Sequence, residues 1–237
     1  MIRINRTLLA GTVALVTAAF APSAYAIPQL QISDGSTTIT VTDQSLGDND
    51  ANPGSIVFFG SIGAFTINVT TGITKPVLGS ATQPILDLNS INVTGTGAAT
   101  LTITFSETDF LSTGSGVNFI TSVGGVSDSA GSVSFDYFAS ATNSLFATDM
   151  TINTTGALTG PFAYSSLGSA ALTGLYSLTT IATIVHTGAG QNSSFNSEFE
   201  SVTPVIEIPE APFAPSLLIG TLLLAGRAVS RRRARRA

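Results

Sequence analysis

The sequence's densest cluster of oxygen-bearing side chains is the segment DNDANPG, which begins at Asp48. Oxygens at Asp48, Asp50 and Asn52 alternate as the ligands of calcium-binding loops do. The match to an EF-hand loop then fails, because Pro53 stands where that loop needs glycine and Phe59 where it needs a bidentate glutamate. Asn, Asp, Pro and Gly are also the usual residues of turns. We therefore favour a solvated turn between strands and keep calcium as the alternative, the one cofactor that the sequence suggests.

Two pairs of carboxylates have the spacing of neighbours on one face of a strand, Glu107 with Asp109 and Glu198 with Glu200. Residues i and i+2 lie about 6–7 Å apart along a strand, a separation that glycosidases use. Sugar clefts are commonly lined by aromatic side chains, however, and the chain has no tryptophan. The pairs are better explained as a solvated acidic face that discourages edge pairing.

Other nucleophiles and bases are sparse. The chain has no cysteine, which excludes disulfides, thiolate metal sites and cysteine nucleophiles. His186 stands alone without a Gly-x-Ser-x-Gly motif, so we expect an edge or surface imidazole and not a triad base or a zinc site. Lys75 precedes proline and does not belong to a phosphate-binding loop. No catalytic constellation emerges, and we predict that the protein is not an enzyme.

Two hypotheses, sugar binding and glycosylation, would each depend on a few further residues. A carbohydrate-binding module without tryptophan would need tyrosines for stacking: Tyr137, Tyr164 or Tyr176. Four asparagines lie in Asn-x-Ser/Thr sequons, which arise by chance in a chain so rich in Ser and Thr: Asn68, Asn92, Asn153 and Asn192.

These residues must be positioned by strands, because apolar and polar residues alternate through the middle of the chain with the period of a half-buried strand. The clearest segments are Thr38–Thr42, Phe65–Val69, Leu101–Phe105, Val133–Tyr137, Leu178–Val185 (a run that we expect to be buried on both faces) and a last strand around Phe195 and Phe199. Turn signals separate them: Leu46 to Gly54, Thr94 to Gly97, Gly114 to Gly116, Gly124-Gly125 and Gly188 to Asn192. About ten to twelve short strands predict a single antiparallel β-sandwich with no helix outside the two ends.

Charge is sharply segregated. Between Ile27 and Ile208 the chain carries one lysine and thirteen carboxylates, a net charge of −12. An acidic surface repels phosphate backbones, so we exclude nucleic acid as a partner of this body.

The N-terminus has the three parts of a secretory signal. Arg3 and Arg6 precede the apolar stretch Thr7 to Phe20, and Ala24-Tyr25-Ala26 is a small-x-small cleavage site. The apolar stretch is shorter than the ~20 residues that span a bilayer, which argues against an uncleaved anchor. We predict a signal-peptide helix within residues 1–26 and cleavage by signal peptidase after Ala26.

The C-terminus also has three parts in a fixed order. Residues 204–214 form a proline-rich linker containing Pro209, Glu210, Ala211 and Pro212. Residues 215–237 begin with an apolar helix too short for a permanent span and end in a basic stop that should stay cytoplasmic: Arg231, Arg232, Arg233, Arg235 and Arg236.

This tail resembles the PEP-CTERM sorting signal of Gram-negative bacteria, with Ala211 in place of the motif's second proline. The resemblance covers about the last 30 residues and implies recognition by an exosortase while the helix lies transiently in the inner membrane. The β-rich, lysine-poor body between residues 27 and 203 is also similar in style to the exported bodies of such proteins. An ordinary single-pass anchor is the alternative.

From these observations we expect an exported protein that is processed and delivered to the cell envelope, cell surface or extracellular matrix. Its function would be that of a structural protein without catalytic activity, associated with exopolysaccharide or biofilm. A secreted carbohydrate-binding, lectin-like module, assisted by calcium, is the second hypothesis. Hydrolase activity is the third.

Overall fold

The computed structural model describes residues 26–202, and this part of the chain contains twelve β-strands and no helix. The predicted terminal helices lie outside it. The strands are β1 (Gln29–Ser33), β2 (Thr38–Thr42), β3 (Ser55–Ile62), β4 (Phe65–Ile73), β5 (Ile85–Gly95), β6 (Ala99–Ser112), β7 (Val117–Ser127), β8 (Ser132–Ser140), β9 (Met150–Thr154), β10 (Gly160–Ala170), β11 (Gly174–His186) and β12 (Asn192–Val202).

The strands form two six-stranded antiparallel sheets. Sheet I has the order β2-β1-β6-β11-β8-β9, and sheet II has the order β10-β7-β12-β5-β4-β3. The prediction of an all-β body built from two antiparallel sheets is confirmed. The chain crosses between the sheets several times, so most neighbouring strands are distant in sequence.

Alternation along the strands places the core between the sheets. In β5, Leu86 and Leu88 are buried while Asp87 and Asn89 are half-buried on the opposite face. Aromatic rings fill the space from both sides, and Phe135 of β8 meets Phe195 of β12 edge to face with ring centroids 4.9 Å apart. Such aromatic pairs contribute about 0.5–1.5 kcal/mol beyond the area that they bury.

Several hydroxyl groups inside the core pair with other hydroxyls, whereas those of Thr70 and Thr180 have no hydrogen-bond partner among the described residues. The Tyr137 hydroxyl of β8 lies 2.8 Å from Ser197 Oγ of β12, which joins the two sheets. Ser106 Oγ lies 2.9 Å from Thr179 Oγ1 within sheet I. A buried hydroxyl without a partner costs about 1–3 kcal/mol, so these pairs make a core rich in Ser and Thr tolerable.

Two local predictions need correction. Gly124-Gly125 is not a turn, because both glycines lie inside β7 and pair with β10 and β12. A Cβ at Gly125 would lie 2.6 Å from Phe195 Cβ, so close packing against β12 explains the glycine there. In β11 the doubly buried segment is Tyr176 to Thr180, and the strand alternates from Ile181 onward.

Candidate functional site

The loop around Asp48 is a turn held by its own side chains. Asp48 Oδ1 accepts hydrogen bonds from the backbone amides of Asp50 and Val57, both at 2.9 Å. Asp50 Oδ1 accepts from the Asn52 amide nitrogens of backbone and side chain, at 3.0 and 2.8 Å. The side-chain hydrogen bond from Ser55, more than any other contact, lowers the pKa of Asp50.

Calcium binding at this loop stays the alternative to a solvated turn. The carboxylate oxygens of Asp48 and Asp50 already accept hydrogen bonds from backbone amides. A cation would therefore compete with the hydrogen bonds that shape the turn. Asp43 adds a nearby carboxylate, whose pKa is raised by burial and by the charges of Asp48 and Asp50. Within residues 26–202 no group of three or more His, Cys, Asp or Glu residues is arranged to hold a metal ion.

Glu107 and Asp109 do not form an exposed acidic pair, so that expectation is wrong. Glu107 is fully buried, and its Oε1 lies 2.8 Å from Lys75 Nζ. The Thr74 hydroxyl donates to Glu107 Oε2. Asp109 is held separately by the Asn143 side chain, which donates from Nδ2 to Asp109 Oδ1 at 2.6 Å.

Plain alternation places Glu107 on the inward face. Leu101, Ile103 and Phe105 are buried at the same two-residue spacing, and the register with β11 shifts only beyond Glu107, between Leu178 and Tyr176. Burial raises the pKa of Glu107 to about 7, against the opposing effects of Lys75 and Thr74. Lys75 Nζ also donates to the Thr108 carbonyl at 2.7 Å and lies 3.9 Å above the Phe110 ring. The pair ties the segment after β4 to sheet I.

His186 is buried and not on the surface, which corrects the sequence-based expectation. Its Nε2 lies 3.0 Å from Ser193 Oγ, and its ring centroid lies 5.4 Å from that of Phe65. Burial lowers its pKa. Nδ1 has no hydrogen-bond partner among the described residues, so no carboxylate orients the ring as a triad requires.

The tyrosines give little support to sugar stacking. Tyr137 and Tyr176 are buried in the core, and burial raises the pKa of both hydroxyls. Tyr164 is half-buried with its hydroxyl 3.4 Å from Asn153 Oδ1. Of the three tyrosines that sugar stacking would need, only Tyr164 is therefore accessible.

The best candidate site is an open groove on the outer face of sheet II, with a volume of about 520 Å³. We call it the outer groove, and its polar lining comes from three adjacent strands: Asp87 and Asn89 of β5, Asn196 and Glu198 of β12, and Ser122 and Gly124 of β7. A Cβ at Gly124 would meet nothing within 4 Å, so this glycine leaves space at the floor of the groove.

Pairing of β5 with β12 places Asp87 directly opposite Glu198, and Glu198 is also opposite Ser122 of β7. Opposed residues have Cβ atoms about 4.5–5.5 Å apart. Burial, and then the charge of Glu198, raises the pKa of Asp87 against a hydrogen bond from Asn89. Burial and Glu198 likewise raise the pKa of Glu200. The sequence identified Glu198 and Glu200, but only strand pairing identifies Asp87.

Beside the groove the same face carries a network of amides and hydroxyls. Asn68 Nδ2 donates to Asn92 Oδ1 at 2.6 Å, and Thr94 Oγ1 donates to Asn192 Oδ1 at 2.7 Å. Three of the four sequon asparagines therefore lie on this face, whereas Asn153 lies in β9 and donates to Thr121 Oγ1. The face offers many donors and acceptors suited to the hydroxyl groups of a ligand.

The predicted processing sites fall almost entirely outside the described residues. Ala24, the motif from Pro209 to Pro212 and the arginines from Arg231 to Arg236 lie outside them, and Ala26 is the first residue described. Within residues 26–202 there is no helix of the length and apolarity needed to cross a membrane.

Comparisons with known proteins reveal no relative by sequence. No family model matches the chain, and no curated protein matches it. Among solved structures, the isomalto-dextranase of Arthrobacter globiformis T6 complexed with panose is 11% identical, with a TM-score of 0.24. The match covers 73% of this chain and 30% of that enzyme. So distant a likeness does not bear on the substrate or activity of this protein.

Proposed function

We propose that this chain is an exported structural protein of the cell surface or extracellular matrix, and that its β-sandwich acts by binding and not by catalysis. The observation that carries this proposal is the distribution of polar groups. Glu107 and His186, which have the chemistry of catalytic groups, lie in the core with internal partners. The outer face of sheet II instead presents amides, hydroxyls and carboxylates around an open groove.

Delivery to the surface is proposed to depend on the two ends of the chain. Signal peptidase would cleave after Ala26, and an exosortase would act at the motif that begins with Pro209-Glu210. Arg231 to Arg236 would hold the tail at the inner membrane, since each arginine at the centre of an inserting helix costs roughly 2.5–3.5 kcal/mol.

The sorting proposal is tested by changing both Pro209 and Glu210 to alanine. We expect the full-length membrane form to accumulate, whereas Pro204→Ala in the same linker should be processed normally. Mass spectrometry of the surface protein provides the measurement. A wild-type surface form that keeps its C-terminal arginines would make the protein an ordinary anchored protein.

A second function, polysaccharide binding, is favoured by the outer groove itself. Paired carboxylates and amides such as Asp87, Asn89 and Glu198 suit the orientation of sugar hydroxyls. The net charge of −12 between residues 27 and 208 disfavours anionic polymers. Since the groove has no aromatic side chain in its lining, we expect weak binding to a neutral polysaccharide, strengthened by repetition along the polymer.

The groove is tested by filling it. Gly124→Leu adds a side chain where there is open space, and it should weaken retention on a neutral polysaccharide by about tenfold, or 1.4 kcal/mol. Asn118→Leu, an exposed position on the same strand, is the matched control. Affinity electrophoresis against a panel of neutral and anionic polysaccharides, with and without calcium, provides the readout. Unchanged retention of the Gly124→Leu protein would exclude this groove as the binding site.

A further inference from the structure

Strand β10 is a long, regular and uncharged edge of sheet II. All eleven residues from Gly160 to Ala170 pair with β7 without a register shift. The other edges are interrupted or short, because β3 contains a bulge between Phe58 and Gly60, and β2 and β9 have five residues each. Proteins usually blunt exposed edges with charges, prolines, bulges or short strands, since open edges pair with other chains. Edge β10 has neither a charge nor a bulge, and its single proline, Pro161, lies at one end, so most of the strand keeps the N–H groups that pairing needs.

Proline shows which backbone groups of β10 are free. Proline in a sheet is tolerated where its missing N–H would face away from the neighbouring strand. Pro161 is paired with Val126 of β7, so its nitrogen side is assigned to the open edge. By the two-residue period, the N–H and C=O groups of Ala163, Ser165 and Leu167 point to the same open side. The Leu167 side chain is 73% exposed on the outer face.

We propose that β10 pairs in antiparallel register with β10 of a second copy of this chain, about a two-fold axis at Ser165. In this register the two segments from Gly160 to Ala170 overlap completely. Large side chains then lie opposite small ones: Leu167 opposes Ala163 on the outer face, and Tyr164 opposes Ser166 on the inner face. Phe162 opposes Gly168, whose inner side already packs against Ile152 of β9. The strand is therefore complementary to itself, as a two-fold interface requires.

Charge distribution favours a second copy over pairing at any other edge. Residues 150–197 contain no Asp, Glu, Lys or Arg, and neither does β7. Carboxylates flank the remaining edges in sequence: Asp43 follows β2, Asp50 precedes β3 and Asp149 precedes β9. Two bodies of net charge −12 repel each other least when they meet through the neutral edge. The contact would join two copies of sheet II into one twelve-stranded sheet.

Cysteine cross-linking provides the direct test, because the chain has no cysteine of its own. In the proposed register the two Ser165 Cα atoms lie about 5.5 Å apart, within the range that a disulfide spans. Full-length Ser165→Cys protein should therefore form a disulfide-linked dimer under mild oxidation, seen on a non-reducing gel. Ser61→Cys, exposed on the opposite edge strand β3, is the matched control and should remain monomeric. Equal cross-linking of the two variants would overturn the proposal.

A second test disrupts the edge. Two differently tagged full-length copies should co-purify in mild detergent, and Ser165→Lys in both copies should reduce the yield at least tenfold, whereas Ser61→Lys should not. Added salt should increase co-purification of the wild-type copies, because it screens the repulsion between the acidic bodies. Co-purification that is insensitive to Ser165→Lys would place the contact elsewhere. Polysaccharide retention is measured separately, so either proposal can fail without the other.

Discussion

Replacing Lys75 by methionine removes the one cation in the described part of the chain and leaves Glu107 buried without its ion-pair partner. In the native protein Lys75 Nζ lies 2.8 Å from Glu107 Oε1, 2.7 Å from the Thr108 carbonyl and 3.9 Å above the Phe110 ring. Breaking a buried pair from one side costs about 3–5 kcal/mol, because the remaining charge is uncompensated. We expect a loss of this size in the free energy of unfolding at pH 9.

The loss should shrink at low pH. Burial already raises the pKa of Glu107 to about 7 from its ordinary value of 4.5, and removal of Lys75 raises this pKa further. A carboxyl whose pKa is higher in the folded state binds more protons there, so stability falls as pH rises through that window. At pH 5 Glu107 is protonated in the folded variant and needs no cation. The cost is then that of lost hydrogen bonds, about 1–3 kcal/mol.

Chemical denaturation followed by far-UV circular dichroism measures both values. The double variant Lys75→Met with Glu107→Gln is the control, since glutamine keeps the shape of the side chain without its charge. It should be more stable than Lys75→Met alone at pH 9 and no more stable at pH 5. Equal losses at the two pH values, or a double variant less stable than the single one at pH 9, would refute the uncompensated charge as the cause.

Three further expectations concern the body and its first residue. Gly125→Ala should destabilise the protein by about 1–3 kcal/mol, because its Cβ would lie 2.6 Å from Phe195 Cβ. The Cβ of Gly124→Ala would meet no atom within 4 Å, so this variant should lose little stability. Denaturation midpoints of the two variants provide the comparison. Calcium at about 1 mM, where weak extracellular sites bind, should leave the melting temperature unchanged, and a rise that Asp48→Ala with Asp50→Ala abolishes would contradict us. Mass spectrometry of the exported protein should find Ile27 at the N-terminus, and retention of the segment up to Phe20 would exclude the cleavage site after Ala26.

Local pattern was sufficient to predict six of the twelve strands by position, namely β2, β4, β6, β8, β11 and β12. Alternation in segments such as Thr38–Thr42 and Val133–Tyr137 predicted β2 and β8 because side chains in a strand point to opposite faces with a strict period of two. The acidity of the body and its lack of cysteine are also properties of composition alone. These features need no knowledge of which strands are neighbours.

The wrong predictions concern residues whose environment is set by distant strands. Glu107 lies on the inward face of β6, and it is buried because Lys75 and Thr74, from the segment after β4, pack against it. His186 is buried because Phe65 of β4 and Ser193 of β12 pack against it. Gly124-Gly125 has the composition of a turn, but β10 and β12 hold it within β7.

The outer groove shows the same division. Glu198 and Glu200 were recognisable from their spacing, since that spacing lies within one strand. Asp87 is far from them in sequence and becomes part of the groove because β5 pairs with β12 in a register that places it opposite Glu198. Antiparallel pairing between distant strands is determined by how two whole sheets bury their apolar faces. Sequence alone therefore determined the strongly alternating strands, most of the turns and the charge of this protein, and tertiary structure decided which of its polar groups meet.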